Sequence, residues 1–187
     1  MVFLRFIILM GFVLSISCVT KDSTTQIKIS QPKKKQIAAD SRAALAQLYI
    51  ENPKSRELGA KAKGVLVFPS IIKGGRVVGG VKRNGGLVVP DGSILDFYQT
   101  SGLSDDLQNY GYALFLMDSE AYSAITRADG WEIGSIQNLV IVDQWRAATK
   151  SSTTIQHGAC AFIFNQHELM SVDGLKGARI SRINPSH

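Results

Sequence analysis

Apolar positions along the first part of the chain recur with the spacing of an α-helix. Asp40 and Ser41 can cap a helix that carries apolar side chains on one face. Asn52 followed by Pro53 then favours the cap and first turn of a second helix, predicted over Pro53 to Lys63. The apolar face of the first helix consists of Ala44, Leu45, Leu48 and Tyr49.

After the second helix, the apolar runs become short and rich in β-branched and aromatic residues, which is typical of strands. Gly64 is predicted to end the helix in a left-handed conformation. The run Val65 to Phe68 ends at Pro69, because proline cannot donate to a central ladder. Further strands are predicted at Arg76–Lys82, Gly86–Val89, Ile94–Tyr98, Gly111–Met117, Asn138–Val142, Ala159–Phe164 and Ala178–Ile183.

Turn signals and one more helix complete the predicted fold. Asn84-Gly85 favours a tight hairpin turn, and Pro90-Asp91-Gly92 marks another. A helix capped at Asp118 would direct Ala121, Tyr122 and Ile125 inward. Helices followed by seven or more short strands predict an α+β domain with a mainly antiparallel sheet, curled into a barrel or a sandwich.

The N-terminal segment has the pattern of an export signal. Residues 2–17 hold one charge, Arg5, in an otherwise nearly unbroken apolar run, which is shorter than the roughly 20 residues of a spanning helix. Ser15-Ile16-Ser17-Cys18 resembles a bacterial lipobox, in which the cysteine is acylated. We expect a signal peptide at 1–17, lipidation of Cys18, a polar tether at 19–39 and one domain at 40–187. Ordinary signal cleavage and an uncleaved anchor are the alternatives.

The residues behind Cys18 bear on localisation. Val19 stands where an aspartate would suggest retention in the inner membrane. Lys33, Lys34 and Lys35 follow, and basic residues near an acyl anchor act as a second membrane signal. We therefore expect an exported protein, anchored in the outer membrane and facing the periplasm.

Charge is distributed unevenly along the chain. From Lys21 to Arg83 there are 14 basic residues against four acidic ones, whereas from Asn84 onward there are six against 11. This asymmetry suggests an anionic partner, although a solvated face with a charged tether is the alternative. Nucleic acid is not expected in the cell envelope, and no base-stacking aromatic residues are interleaved with the basic ones.

Several motifs recur together over about residues 40–184. They are Ala44-Leu45, Leu48-Tyr49, Ala60–Pro69, Gly74-Gly75, Gly79-Gly80, Gly111–Phe115, Gly130–Gly134, Ala161–Phe164, Gly177 and Ile180–Ile183. In these motifs the chain resembles the SYLF domain family. The resemblance implies a lipid-binding module for phosphoinositides and other anionic lipids. Some eukaryotic members of the family also bind actin, which is not expected here.

The predicted lipid-headgroup site lies in the basic N-terminal half. Glycine N–H groups at Gly74 and Gly75 would bind phosphate oxygens beside the basic side chains. Two loops depart from the family pattern, because Asp106 and Glu168 stand where relatives have glycine. The basic residues of the predicted site are Lys54, Arg56, Lys61, Lys63, Lys73, Arg76, Lys82 and Arg83.

Candidate enzymatic chemistry is sparse. His157 and Cys160 could form a nucleophile–base pair or bind a metal, but Cys160 begins an apolar run and is expected to be a core residue. Asp105-Asp106 is expected to be a solvated loop. The aromatic residues Phe97, Tyr98, Trp131 and Phe162 are also expected to be core residues.

We therefore expect a non-enzymatic, lipid-binding envelope lipoprotein with no catalytic residue, no metal and no cofactor. The alternative is a structural or adaptor protein of the envelope, whose basic face binds a protein or an anionic polysaccharide. The sequence does not name a protein partner.

Overall fold

The structure is a computed structural model, and it describes residues 33–70, 82–102, 110–127, 130–135, 138–142, 157–165, 175 and 177–186. These residues include three α-helices. They are α1 (Lys34–Glu51), α2 (Pro53–Lys61) and α3 (Ser119–Arg127). Asn52 caps α2, and its side chain accepts a hydrogen bond from the N–H of Ser55. The two predicted N-terminal helices and the later third one are therefore confirmed.

Two predicted helix boundaries are wrong. The first helix begins at Lys34, within the expected tether, rather than near Asp40. Here the N–H of Lys34 donates to the carbonyl of Ser186 at 3.0 Å, which ties the helix start to the C-terminal segment. At the other end, α2 is followed by Ala62 in an extended conformation, and Gly64 is the first residue of a strand, so it does not cap the helix in the left-handed region.

The described residues also form eight strands in one sheet. All neighbouring pairs are antiparallel except β6 and β7, which are parallel. The order across the sheet is β5-β8-β3-β2-β1-β4-β7-β6, and the sheet curls into a half-barrel. The predicted α+β class with a mainly antiparallel, barrel-like sheet is thus correct. The strands are β1 (Gly64–Phe68), β2 (Arg83–Val88), β3 (Ile94–Ser101), β4 (Gly111–Leu116), β5 (Trp131–Glu132), β6 (Leu139–Val142), β7 (Ala159–Phe164) and β8 (Arg179–Ile183).

One predicted turn is confirmed and one is wrong. Around Pro90-Asp91-Gly92 the N–H of Val89 donates to the carbonyl of Ser93 at 3.0 Å, and Gly92 takes a φ of 81°. Asn84-Gly85, by contrast, lies inside β2, where Gly85 is opposite Tyr98 of β3. The strand predicted at Arg76–Lys82 lies almost entirely outside the described residues.

Each face of the sheet is covered by its own apolar cluster. On the α1–α2 face, Leu45 and Leu48 of α1 and Leu58 of α2 pack with Val65 and Val67 of β1. On the α3 face, side chains of α3 pack against the alternate positions of the same strands. Because both faces are covered, strands β1, β4 and β7 are apolar throughout instead of alternating.

The aromatic residues expected in the core divide into three groups. Tyr98 and Phe162 are buried. Trp131 is half-buried and packs against the cluster on the α3 face. Phe97 is only half-buried and belongs to neither cluster, so its predicted core role is wrong.

Candidate functional site

The second helix presents a basic surface, as predicted. Ser55 and Leu58 are its buried residues, so its remaining circumference faces outward. Arg56 and Lys61 are exposed, Lys54 is half-buried, and Lys63 is exposed directly before β1. The N–H of Lys63 donates to the carbonyl of Leu116 at 2.7 Å, which fixes this segment beside β4.

Tyr49 of α1 lies between the two helices and orients Arg56. The guanidinium carbon of Arg56 is 5.9 Å from the centroid of the Tyr49 ring, within the range of a cation–π contact. The Tyr49 hydroxyl lies directly against Gly59, where a side chain would collide with the ring. Burial raises the pKa of the Tyr49 hydroxyl, and the charge of Arg56 partly offsets this rise.

A cleft opens beside this pair, between α1, α2 and the end of the sheet at which β1 begins and the β2–β3 turn lies. Its volume is about 410 Å³. Arg56 is the one charged residue of its lining, as far as the described residues show. The lining consists of Leu45, Tyr49, Arg56, Gly59, Ala60, Ala62, Gly64, Val65, Val88, Val89, Pro90 and Gly92. We call this space the helix–sheet cleft.

Sequence reasoning missed two residues at the helix–sheet cleft. The sequence pattern predicts Tyr49 only on the apolar face of α1, and it does not indicate Arg42 as a site residue. Arg42 Nε donates to the carbonyl of Gly92, which lines the cleft, at 2.9 Å. Arg42, Leu45 and Tyr49 share a helical face at spacings of three and four, and this signal could have placed all three together.

Lys82, another predicted basic residue, does not join this surface. Lys82 is exposed directly before β2, whereas Lys63 directly precedes β1. Since β1 and β2 are antiparallel, the two lysines lie at opposite ends of the strand pair. The five residues of β1, about 17 Å of extended chain, separate those ends. Lys73, Gly74, Gly75 and Arg76 lie outside the described residues, as does Cys18.

Arg83 is buried rather than available at the surface. Its side chain is on the α3 face, opposite Thr100 of β3, and the residue is 3% exposed. One guanidinium nitrogen donates to the carbonyl of Tyr110. Burial lowers the pKa of Arg83 to about 10. The prediction that Arg83 contributes to an exposed lipid-headgroup surface is therefore wrong.

The two candidate enzymatic residues, His157 and Cys160, lie in different environments. Cys160 is completely buried in β7, as expected. The His157 side chain is 79% exposed, and its Nδ1 is 3.9 Å from Asp118 Oδ2. No group of three or more His, Cys, Asp or Glu side chains within the described ranges is arranged to hold a metal ion. Asp105, Asp106 and Glu168 lie outside those ranges.

Asp118 connects the start of α3 to the start of β7. Its carboxylate accepts hydrogen bonds from the N–H groups of Ala121 and Gly158, at 2.8 and 2.7 Å. These two bonds hold the pKa of Asp118 below its usual value. The carboxylate therefore stabilises the fold above the ordinary aspartate pKa of about 3.9, and the contribution is lost as the pH falls through the lower, folded-state pKa.

This arrangement predicts a pH-dependent loss of stability on replacing Asp118→Ala. At neutral pH we expect the free energy of unfolding to fall by about 1–2 kcal/mol, as for the loss of a helix cap. The difference from the unmodified chain should shrink as the pH approaches 3, and urea titrations at several pH values would measure it. A difference that is constant with pH would contradict the role of the ionised carboxylate. Asp118→Asn, which keeps a neutral acceptor, should retain part of the stability.

Comparison with models of protein families and with curated protein sequences gives no match to this chain. Among the residues that the structure describes, no helix combines the length and apolarity needed to cross a membrane. The lipoprotein signal and the family resemblance thus remain predictions from the sequence.

Proposed function

We propose that this protein is a non-enzymatic lipid-binding lipoprotein of the cell envelope, which recognises anionic lipid headgroups through the basic surface of α2. The observation that carries the proposal is the position of Arg56 in the wall of an apolar cleft, on the same helix as the exposed Lys61. Such a surface suits a lipid, whose anionic headgroup adjoins apolar chains.

Charge on the neighbouring elements supports the proposal. Beyond the first turn of α1, the two helices, Lys63 and the β2–β3 turn carry five basic residues against four carboxylates. The basic residues are Arg42, Lys54, Arg56, Lys61 and Lys63, and the carboxylates are Asp40, Glu51, Glu57 and Asp91. The surface thus has an excess of positive charge, and each basic residue near an anionic membrane contributes about 1 kcal/mol to binding.

The start of α1 adds a second basic segment. Lys34 and Lys35 occupy the first turn of α1, which contains no acidic residue, and Lys33 is its uncapped N-terminal boundary. Positive side chains are unfavourable beside the positive end of a helix dipole, so a nearby anionic surface would stabilise this turn. Acylation of Cys18 would hold the segment close to the membrane.

Two separate variants, each with one lysine reversed in charge at one end of the β1–β2 pair, test the proposed surface. We expect Lys63→Glu to weaken binding to vesicles of anionic phospholipid by about tenfold or more, because one attraction becomes a repulsion. Lys82→Glu makes the same change in charge at the opposite end of β1 and β2, so it should weaken binding far less. Co-sedimentation of residues 19–187, which lack the acyl anchor, would measure both.

The same assay can contradict the proposal in two ways. Equal binding to neutral and anionic vesicles would exclude headgroup recognition by charge. Equal losses from Lys63→Glu and Lys82→Glu would show that net charge, and not the α2 surface, governs binding. Failure to bind any vesicle, together with capture of one envelope protein, would favour an adaptor function instead.

A further inference from the structure

The helix–sheet cleft is a half-open space beside the basic surface of α2. Its volume of about 410 Å³ falls within the range of roughly 300–1,000 Å³ that is typical of small-molecule sites. Leu45, Val65 and Val88 of its lining are buried core residues, so well-packed elements form its walls. The lining is therefore apolar and preorganised, with a guanidinium as its charged group.

Tyr49 and Gly59 give the cleft its specific shape. Because glycine occupies position 59, the Tyr49 ring can lie directly against the backbone of α2. The ring then forms a wall of the cleft and supports Arg56 at 5.9 Å. A guanidinium held by an aromatic ring loses less conformational freedom when it binds a carboxylate or a phosphate.

We propose that the helix–sheet cleft takes one alkyl chain of an anionic amphiphile, with Arg56 binding its carboxylate or phosphate group. The proposal deepens the proposed function and rests on it, because it assigns one chain of the recognised lipid to a specific site. Charge complementarity selects this occupant: among the described residues, Arg56 is the one charged group in the lining of a mainly apolar space. A neutral amphiphile would gain free energy from the burial of its alkyl chain, but it would form no ion pair with Arg56.

Monomeric amphiphiles test the cleft separately from membrane binding. Calorimetric titration of residues 19–187, which contain all the described elements, would use octanoate, decanoate and dodecanoate below their micelle concentrations. We expect one dodecanoate per chain, and an affinity that rises about fourfold with each methylene that the cleft buries. Dodecanol, which is neutral, should bind more weakly than dodecanoate. Dodecyl phosphate would show whether phosphate replaces carboxylate at Arg56.

Two matched substitutions test whether dodecanoate binds in the helix–sheet cleft. Ala60 is exposed on α2 and lines the cleft, so Ala60→Phe should fill the space and abolish dodecanoate binding. Ala46 is exposed on α1 outside the lining, and Ala46→Phe should leave the affinity unchanged. Arg56→Gln should bring the affinity for dodecanoate down to that for dodecanol. Unchanged dodecanoate binding by the Ala60→Phe variant, or no binding of any of these amphiphiles, would overturn the proposal.

Vesicle binding separates this inference from the proposed function. The Ala60→Phe variant keeps every basic residue, so it should still sediment with anionic vesicles while no longer binding dodecanoate. If the unmodified chain binds dodecanoate in the cleft but does not bind anionic vesicles, the proposed function fails and the cleft assignment stands. If it binds vesicles but no monomeric amphiphile, the cleft assignment fails alone.

Discussion

Replacing Arg83→Ala is expected to lower the free energy of unfolding by about 3 kcal/mol. The side chain is buried on the α3 face, and its guanidinium donates to the carbonyl of Tyr110. Truncation would remove a hydrogen bond from a charged donor and leave a cavity beside Thr100. Urea unfolding followed by circular dichroism would measure the loss.

The neighbouring Lys82 provides the matched control. It is exposed, so Lys82→Ala should change the free energy of unfolding by no more than about 0.5 kcal/mol. Arg83→Met keeps most of the volume and should cost less than Arg83→Ala, because it leaves a smaller cavity. Should Arg83→Ala be as stable as Lys82→Ala and also bind anionic vesicles poorly, Arg83 would be a surface cation, as its sequence context suggested.

Arg83 shows why the sequence could not define the basic surface. Lys82 and Arg83 are adjacent and chemically similar, yet one is exposed and the other is buried. The difference arises because Arg83 is the first residue of β2, on the covered α3 face, whereas Lys82 lies before the strand, and because Arg83 donates to Tyr110, which lies 27 residues further along the chain. Neither the register nor the position of Tyr110 can be derived from local charge.

The helices and most of the strands, by contrast, could be predicted from local signals. Asn52-Pro53 identifies the start of α2 because capping and the fixed φ of proline act within one turn. The apolar runs of β4 and β7 indicate strands that are covered on both faces. The order of the strands was not predicted, since it depends on pairing between distant segments.

The helix–sheet cleft could not be predicted from the sequence either, because segments that are distant along the chain form it together. Leu45, Gly59 and Val88 line it together, but they belong to α1, α2 and β2. The sequence correctly indicated a basic second helix. It gave no sign that Tyr49 would pack against Gly59 and open an apolar space beside Arg56.

Replacing Gly85→Ala should be nearly as damaging as Arg83→Ala, with an expected loss of about 2–3 kcal/mol in the free energy of unfolding. Gly85 lies inside β2, and a side chain there would collide with the backbone carbonyl of Val67 and would come within 2.7 Å of Phe68 Cδ1. The Val67 carbonyl belongs to β1, which is paired on both sides, so it cannot move without disturbing the sheet.

Gly86→Ala is the control in the same strand. Its added methyl group would meet the ends of the Ile94 and Ser41 side chains at 3.1 Å, which can adjust, so we expect a change within about 1 kcal/mol. The substitution Gly85→Asn distinguishes the observed strand conformation from the hairpin turn that the Asn84-Gly85 sequence predicts. Asparagine adopts a left-handed conformation at low cost, so a turn would tolerate it better than alanine. In the strand, the larger side chain should destabilise the protein at least as much as alanine does, and thermal unfolding of the three variants would decide between the two conformations.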